Sequence, residues 1–477
     1  MTFNSYEFVF VFLPICISLY YATGHFHMYS TGKCILIFAS LVFIGYGGGL
    51  NNLLVVSVSI LFNFVVSRFL LHKDKQVSKW LLWIGVVFNL LTLCFFKYGN
   101  DVLRFFNAGL VVSHLLLPLG ISFYTFQQIA YLIDTYRNEV PEYSFLDYSL
   151  FVLYFPKFLQ GPIVYHNELF PQFLDEKKKH LDFCNFQKGL MIFSIGLGKK
   201  VLLADFLSKI VDYGYSHIPS LNSFETLLII VSYTFQLYFD FSGYCDMGIG
   251  ISSMLNIEMP WNFNSPYKTL NISDFWKRWH ITLTRFFTKY IYIPLGGNRR
   301  GLIRTYINIM IIYFISGLWH GKGFTFLVWG ILHGTASILY KIGKKQYDSW
   351  PKTIRWLLTI MFINITWMFF RAPRLGDVIE MMNRLIYGQK VFLLNPELTE
   401  SLLMPALFNI PCQFFPVSFV IIVLLIVIII LCVFIPNSQE INTMNTATPG
   451  ALLFTYLLLT LSLLSLSGVT GFLYTNF

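Results

Sequence analysis

Charge is what this chain has least of. Asp, Glu, Lys and Arg make up 12% of its 477 residues, about half the roughly 25% of an ordinary soluble domain. Against that, 56% of the residues are hydrophobic and 18% aromatic. So little polar sequence cannot cover a soluble core, so the composition places the chain in a membrane. Cysteine pairing is absent too: Cys16, Cys34, Cys94, Cys184, Cys245, Cys412 and Cys432 are scattered, mostly in apolar runs, with no Cys-x-x-Cys spacing. That argues against a disulfide framework and a thiolate metal site. No Gly-rich phosphate loop and no Gly-x-Ser-x-Gly elbow occurs, which argues against a nucleotide-driven pump and a serine hydrolase of the usual design. The histidines show no His-x-x-x-His spacing and no nearby carboxylate, so no metal is expected. The formal charge of +10 lacks the basic stripe on a soluble face that nucleic-acid binding needs.

What is present is a succession of apolar runs near the 20 residues that cross a bilayer. They cover 7 to 22, 34 to 50, 52 to 71, 80 to 97, 115 to 133, 189 to 211, 224 to 243, 305 to 319, 323 to 341, 354 to 370, 416 to 436 and 450 to 467. The pattern predicts an all-α polytopic membrane protein of roughly a dozen crossings, with residues 1–477 forming one integral-membrane domain. The first run has neither a basic leader nor a small-residue cleavage site, so it reads as a span.

Basic residues set the orientation. Four lie between Arg68 and Lys79 against Asp74, eight between Glu258 and Arg304 against Glu258 and Asp274, and five between Lys341 and Arg355 against Asp348. Cytoplasmic loops collect Lys and Arg, so these three segments are expected inside. Both termini then fall outside, as does the turn between spans 305 to 319 and 323 to 341, which holds His320.

Two segments depart from simple spans. Residues 148 to 163, YSLFVLYFPKFLQGPI, are apolar but broken by Pro156, Lys157, Gly161 and Pro162. This reads as re-entrant, since irregular backbone at membrane depth needs protein or a water-lined cavity to satisfy it. The stretch FWKRWHITLTRFFTKYIYIPLGG alternates aromatics with cations. It fits an interfacial helix, or equally a solvated basic loop anchored by Trp and Tyr.

His320 and His333 stand inside FISGLWHGKGFTFLVWGILHG. An ionisable group in such a run faces the interior and is a functional candidate by default; a neutral imidazole can both accept and donate a proton near pH 7. The plainer alternatives are a core histidine bonded to a carbonyl for His320, packing or support for His333, and an interfacial anchor for His280. Asp240 and Asp246 in FDFSGYCDMG read as a structural bond network, and Arg371 in WMFFRAP as a snorkelling anchor.

Several tracts occur in the order seen in one family: LPLGISFYTFQQIAYLIDTYR from Leu117, YFPKFLQGPIVYHNELFPQ from Tyr154, FDFSGYCDMGIG from Phe239, PWNFNSPY from Pro260, then SDFWKRWHITLTRFFTKYIYIPLGG, GLWHG, WGILHG and WMFFRAP. With them the chain resembles the membrane-bound O-acyltransferases, in particular the bacterial alginate and peptidoglycan O-acetyltransferase branch. The resemblance implies a helical shell around a central tunnel, with the GLWHG histidine, His320, catalytic at its waist and the FWKRWH histidine, His280, as the second motif histidine. It also implies an acyl relay at the C-terminus, where Tyr474 matches the tyrosine and Phe472 and Phe477 the flanking aromatics of a Phe-x-Tyr-Phe-x-Phe-like motif. Thr475 departs from that motif, and an aromatic interfacial anchor is the competing reading.

The implied reaction is acyl transfer, of an acetyl group, from a cytoplasmic thioester such as acetyl-CoA to a hydroxyl of an exported polysaccharide or peptidoglycan. No tightly bound cofactor is expected, and the residues that would hold the donor are not readable from the sequence. The resemblance further implies an extracytoplasmic, esterase-like acetyltransferase as partner, membrane lipid around the spans and no nucleic acid. Two alternatives remain at this level: D-alanyl transfer to teichoic acid from a carrier-protein thioester, and a non-enzymatic transporter, which a discontinuous segment allows.

Overall fold

The computed structural model describes residues 1–71, 75–105, 117–392, 394–403, 415–444, 446 and 448–466. Among them there are helices and turns and no strands. The chain divides into two compact units, one built mainly from Met1–Ser194 and Tyr244–Trp261, the other mainly from Ile195–Gly243 and Asn262–Met444.

In the first unit a π-turn, Phe8–Phe12, leads into α1, Leu13–His25. It is followed by α2, Tyr29–Leu71, and α3, Lys75–Phe105. The expected spans 34 to 50 and 52 to 71 are the two parts of α2, divided at Gly49, whose φ of 69° and ψ of −174° interrupt the helix. A side chain there would be strained in the left-handed region. Polar glue joins α2 to α3: the Asn63 and Asn89 side-chain amides donate to each other at 3.2 and 2.6 Å, the kind of reciprocal bond that holds apolar helices together where burial gives no driving force. α4, Ile121–Tyr136, is buried on nearly every face.

The 148 to 163 segment is broken as its prolines and glycine require. α5, Phe145–Leu153, stops at Tyr154 (φ −42°, ψ 102°), and α6, Phe155–Phe158, is a single turn. The amide this break releases is taken up from another helix: Phe155 N–H donates to Ser40 Oγ at 3.1 Å, while the Ser40 hydroxyl donates to the Leu36 carbonyl at 2.7 Å. Tyr154 OH donates to Ser252 Oγ at 3.1 Å. Lys157 is fully buried, its Nζ 2.6 Å from Gln127 Oε1 and 5.0 Å from the Phe151 ring centroid. α7, His166–Leu174, and most of α8, Phe183–Gly198, complete the unit.

The second unit opens with a π-turn, Lys199–Ala204, and α9, Asp205–Ser216. The 32-residue α10, Ser223–Met254, crosses from this unit into the first. Then come α11, Ile272–Arg278, α12, Ile281–Phe287, α13, Leu302–His320, α14, Phe324–Asp348, α15, Lys352–Arg371, and α16, Leu375–Tyr387. α17, Pro396–Leu403, α18, Val417–Phe434, and α19, Ser438–Asn442, follow, and α20, Pro449–Leu464, is shared between the two units.

Seven helices among the described residues are long and apolar enough to span a bilayer, so the chain is a multi-pass, all-α membrane protein. The expected runs at 115 to 133, 189 to 211, 224 to 243 and 450 to 467 are not among the seven, the last because α20 has only 16 residues. α4 has 16 residues, the π-turn with Lys199 and Lys200 interrupts the second run, and α10 carries Glu225, Asp240 and Asp246. The basic stretch is not one interfacial helix either. Two 7-residue helices, α11 and α12, are parted by His280, whose φ of 46° and ψ of 52° end one helix before the next begins, and a π-turn, Thr288–Tyr292, continues α12.

Candidate active site

α13 and α14 form an antiparallel hairpin with a three-residue turn, and glycine sets how closely they cross. A Cβ on Gly317 would stand 2.5 Å from the Phe326 carbonyl oxygen, and one on Gly330 would stand 2.4 Å from that of Tyr313. Both distances are too short for a real contact, so only hydrogen at these positions allows the helices to meet. That approach brings His320, the last residue of α13, against Trp329 of α14, ring centroids 5.1 Å apart and edge-on. Phe370 of α15 closes another side at 5.1 Å, and the adjacent Trp319 stands at 4.7 Å. His320 is 3% exposed, so it is a buried imidazole in an aromatic box. Edge-to-face pairs of this kind contribute about 0.5 to 1.5 kcal/mol each, enough together to hold the ring in one orientation.

His333 lies on the far side of Trp329, 4.9 Å away between centroids. Trp276 Nε1 donates to its Nδ1 at 3.2 Å. An indole N–H can only donate, so Nδ1 is the acceptor and the His333 proton resides on Nε2. This bond ties α11 to α14. It supports the reading of His333 as a packing and positioning residue, one that orients the Trp329 wall of the His320 box.

His280 is fully buried, which excludes the interfacial-anchor alternative. Its Nδ1 lies 3.1 Å from Asn262 Oδ1, and the same oxygen accepts Thr282 N–H at 3.2 Å and the Thr282 hydroxyl at 2.9 Å. Because that oxygen only accepts, Nδ1 carries the His280 proton and Nε2 keeps the lone pair. Burial lowers the ring to about 3, so it is neutral at physiological pH. The His280 ring stands 6.1 Å from Trp319, which touches His320 in turn. The structure thus links His280, His320 and His333 through Trp319 and Trp329.

The remaining candidates lie elsewhere. Asp240 accepts from Lys200 Nζ at 2.7 Å, and Lys200 also contacts Asp205 at 2.8 Å, a buried triad. Asp246 is buried in the first unit. Arg371 pairs with Asp212 at 2.9 Å and lies 4.9 Å over the Tyr215 ring, so it is a tethered cation and not a lipid-facing anchor. Phe472, Tyr474 and Phe477 lie outside the described residues. Sequence reasoning missed Asn262, Trp276 and the Lys200–Asp205 contact. The lysine pair in GLGKK, inside an apolar run, is the signal that points to a buried ion pair.

Over 422 residues the chain is 41% identical to the peptidoglycan O-acetyltransferase of Helicobacter pylori, covering 81% of this chain and 80% of that protein. It is 35% identical over 388 residues to a probable alginate O-acetylase of Pseudomonas aeruginosa, covering 79% and 73%. The teichoic acid D-alanyltransferase of Bacillus subtilis is 25% identical over 332 residues, covering 64% and 79%. Residues 68–376, which include both units' buried motifs and His280, His320 and His333, match the sequence pattern of the membrane-bound O-acyltransferases, and the chain belongs to that family as an acyltransferase.

Proposed function

We propose that this acyltransferase moves an acetyl group from a cytoplasmic thioester, acetyl-CoA or another acyl thioester, across the inner membrane for O-acetylation of an exported polysaccharide or peptidoglycan. The observation that carries this reading is the buried His320 in its aromatic box. A thiol leaves readily, having an ordinary pKa near 8.5, so the difficult task is to deprotonate an alcohol. His320 takes the hydroxyl proton as the oxygen attacks the thioester carbonyl. The tetrahedral adduct then collapses, the C–S bond breaks and the thiolate recovers the proton from the imidazolium. A positioned base supplies about 10²- to 10⁴-fold, and holding both reactants in place supplies more. His280, neutral and with its lone pair on Nε2, serves as a hydrogen-bond acceptor beside this step.

The three basic segments favour a cytoplasmic donor side, with the His320 turn and both termini outside. The Lys and Arg residues of 268 to 300 would draw the phosphates of coenzyme A, or an acidic carrier protein, to that face. Tyr474 is proposed as the acyl relay to an extracytoplasmic, esterase-like partner. D-alanyl transfer is the second reading, favoured by the B. subtilis relative, but the higher identities go with O-acetyltransferases. A transporter role is set aside with the family assignment.

The test is glycan O-acetylation, measured by mass spectrometry of the cell envelope. His320→Ala abolishes it while the protein stays in the membrane, and retained acetylation refutes the general-base role. Tyr474→Phe leaves the acyl group upstream; full transfer by that variant dismisses the relay.

A further inference from the structure

Behind the histidine box, α14 and α15 part to leave an apolar cavity of about 400 Å³, within the range of small-molecule sites. Its floor includes Phe362 and Ile272, and Tyr347 bridges the two helices beside it, donating to the Arg355 carbonyl at 3.1 Å. Two properties of the mouth define the occupant. First, the mouth is apolar and open: Leu339 is 62% exposed, Leu358 42% and Trp350 39%. Both walls belong to helices long and apolar enough to span a bilayer, and the lining runs along α14 from Ala336 to Tyr347 and on to Trp350, so the opening lies where the apolar run gives way to charge. Second, at the same level α14 presents Lys341, Lys344 and Lys345 around an adjoining depression. The one carboxylate of that rim, Asp348, is engaged by Arg355 Nη1 at 3.3 Å and by the Tyr340 hydroxyl at 3.3 Å, so the lysine charge is not cancelled there. Aromatic residues flank this level, as they do where a membrane meets water.

We propose that the cleft between α14 and α15 is a binding site for an anionic phospholipid, one acyl chain in the apolar cavity and the phosphate over Lys341, Lys344 and Lys345. Basic pockets between spanning helices select anionic headgroups in this way. The site is separate from the acyl-transfer reading and stands without it. Its placement gives it a consequence nonetheless: Phe362, part of its lining, stands 5.2 Å from His333, so an occupied cavity braces the wall behind the histidine box.

The experiment is native mass spectrometry of the full-length protein in detergent with equal amounts of phosphatidylglycerol and phosphatidylcholine. The wild type keeps phosphatidylglycerol in preference. Replacing Lys341, Lys344 and Lys345 with Gln, at exposed positions that do not threaten folding, lowers that preference by about fivefold per lysine. Gly343→Leu, at a position where an added Cβ meets no atom within 4 Å, fills the cavity mouth and loses both lipids. Equal retention of the two lipids by the wild type overturns the proposal, as does an unchanged preference in the lysine variant. Displacement of phosphatidylglycerol by coenzyme A overturns it as well, because the cleft then belongs to the thioester donor.

Discussion

Replacing Gly330 with Ala tests whether the α13–α14 approach sets the geometry of the histidine box. The added Cβ would lie 2.4 Å from the Tyr313 carbonyl oxygen, about 1 Å short of an ordinary contact. That neighbour is helix backbone, which cannot swing aside, so the two helices must separate by about that distance. Overpacking of this kind costs about 1 to 3 kcal/mol. The larger effect falls on function, because Trp329 adjoins the substituted residue and His320 is one turn from Gly317. A misplacement of about 1 Å can lower turnover by about 10²-fold. The assay is acyl transfer by purified protein, read beside thermal unfolding in the same detergent. Gly376→Ala, on α16 where the added carbon meets nothing within 4 Å, is the control and retains wild-type turnover. If Gly330→Ala keeps both wild-type activity and stability, the argument that glycine dictates the crossing is wrong.

Lys200→Met removes the ammonium that Asp205 and Asp240 both contact, at 2.8 and 2.7 Å, an expected loss of about 3 to 5 kcal/mol; replacing all three with apolar residues recovers most of it, and a Lys200→Met protein as stable as wild type refutes the triad's role. Trp276→Phe removes the donor to His333 Nδ1 and lowers stability by about 1 to 3 kcal/mol, measurable as an earlier thermal midpoint; an unmoved midpoint shows the bond contributes nothing. His280 gives a pH dependence. Its ordinary value is 6.5 and the folded ring is held to about 3, so between these the unfolded chain binds a proton that the folded one excludes. Stability is therefore flat above about pH 6.5 and falls as the pH drops toward 3, and His280→Gln shallows that fall. An unaltered slope in the variant assigns the acid sensitivity to other groups.

The parts of this molecule that repeat with a helical period were legible before any coordinates. The hairpin read as 305 to 319 and 323 to 341 is α13 and α14, Leu302–His320 and Phe324–Asp348, because long apolar runs and a short glycine turn are local signals. The titratable rings at 320 and 333 were conspicuous for the same reason, being polar groups among Leu, Ile and Trp. The interruption after Leu153 was legible from Pro156 and Gly161. What escaped was set by single dihedral angles or by distant partners. One left-handed residue, His280, divides the basic stretch, and no periodicity announces it. Trp276 meets His333 across 57 positions and Lys200 meets Asp240 across 40, separations at which a sequence carries no spacing rule.

The break at Tyr154 has a consequence for how the chain is made. Ser40, which receives the Phe155 amide, precedes it by 115 residues, so that hydroxyl is already in place when the ribosome delivers the broken segment, and no bare amide has to wait in hydrocarbon, where it would cost several kcal/mol. Ser252, which takes the tyrosine hydroxyl, arrives 98 residues later. At ordinary elongation rates that is roughly 5 to 20 s, an interval in which the segment is seated at one end and untied at the other, and in which insertion of this protein is most exposed to error.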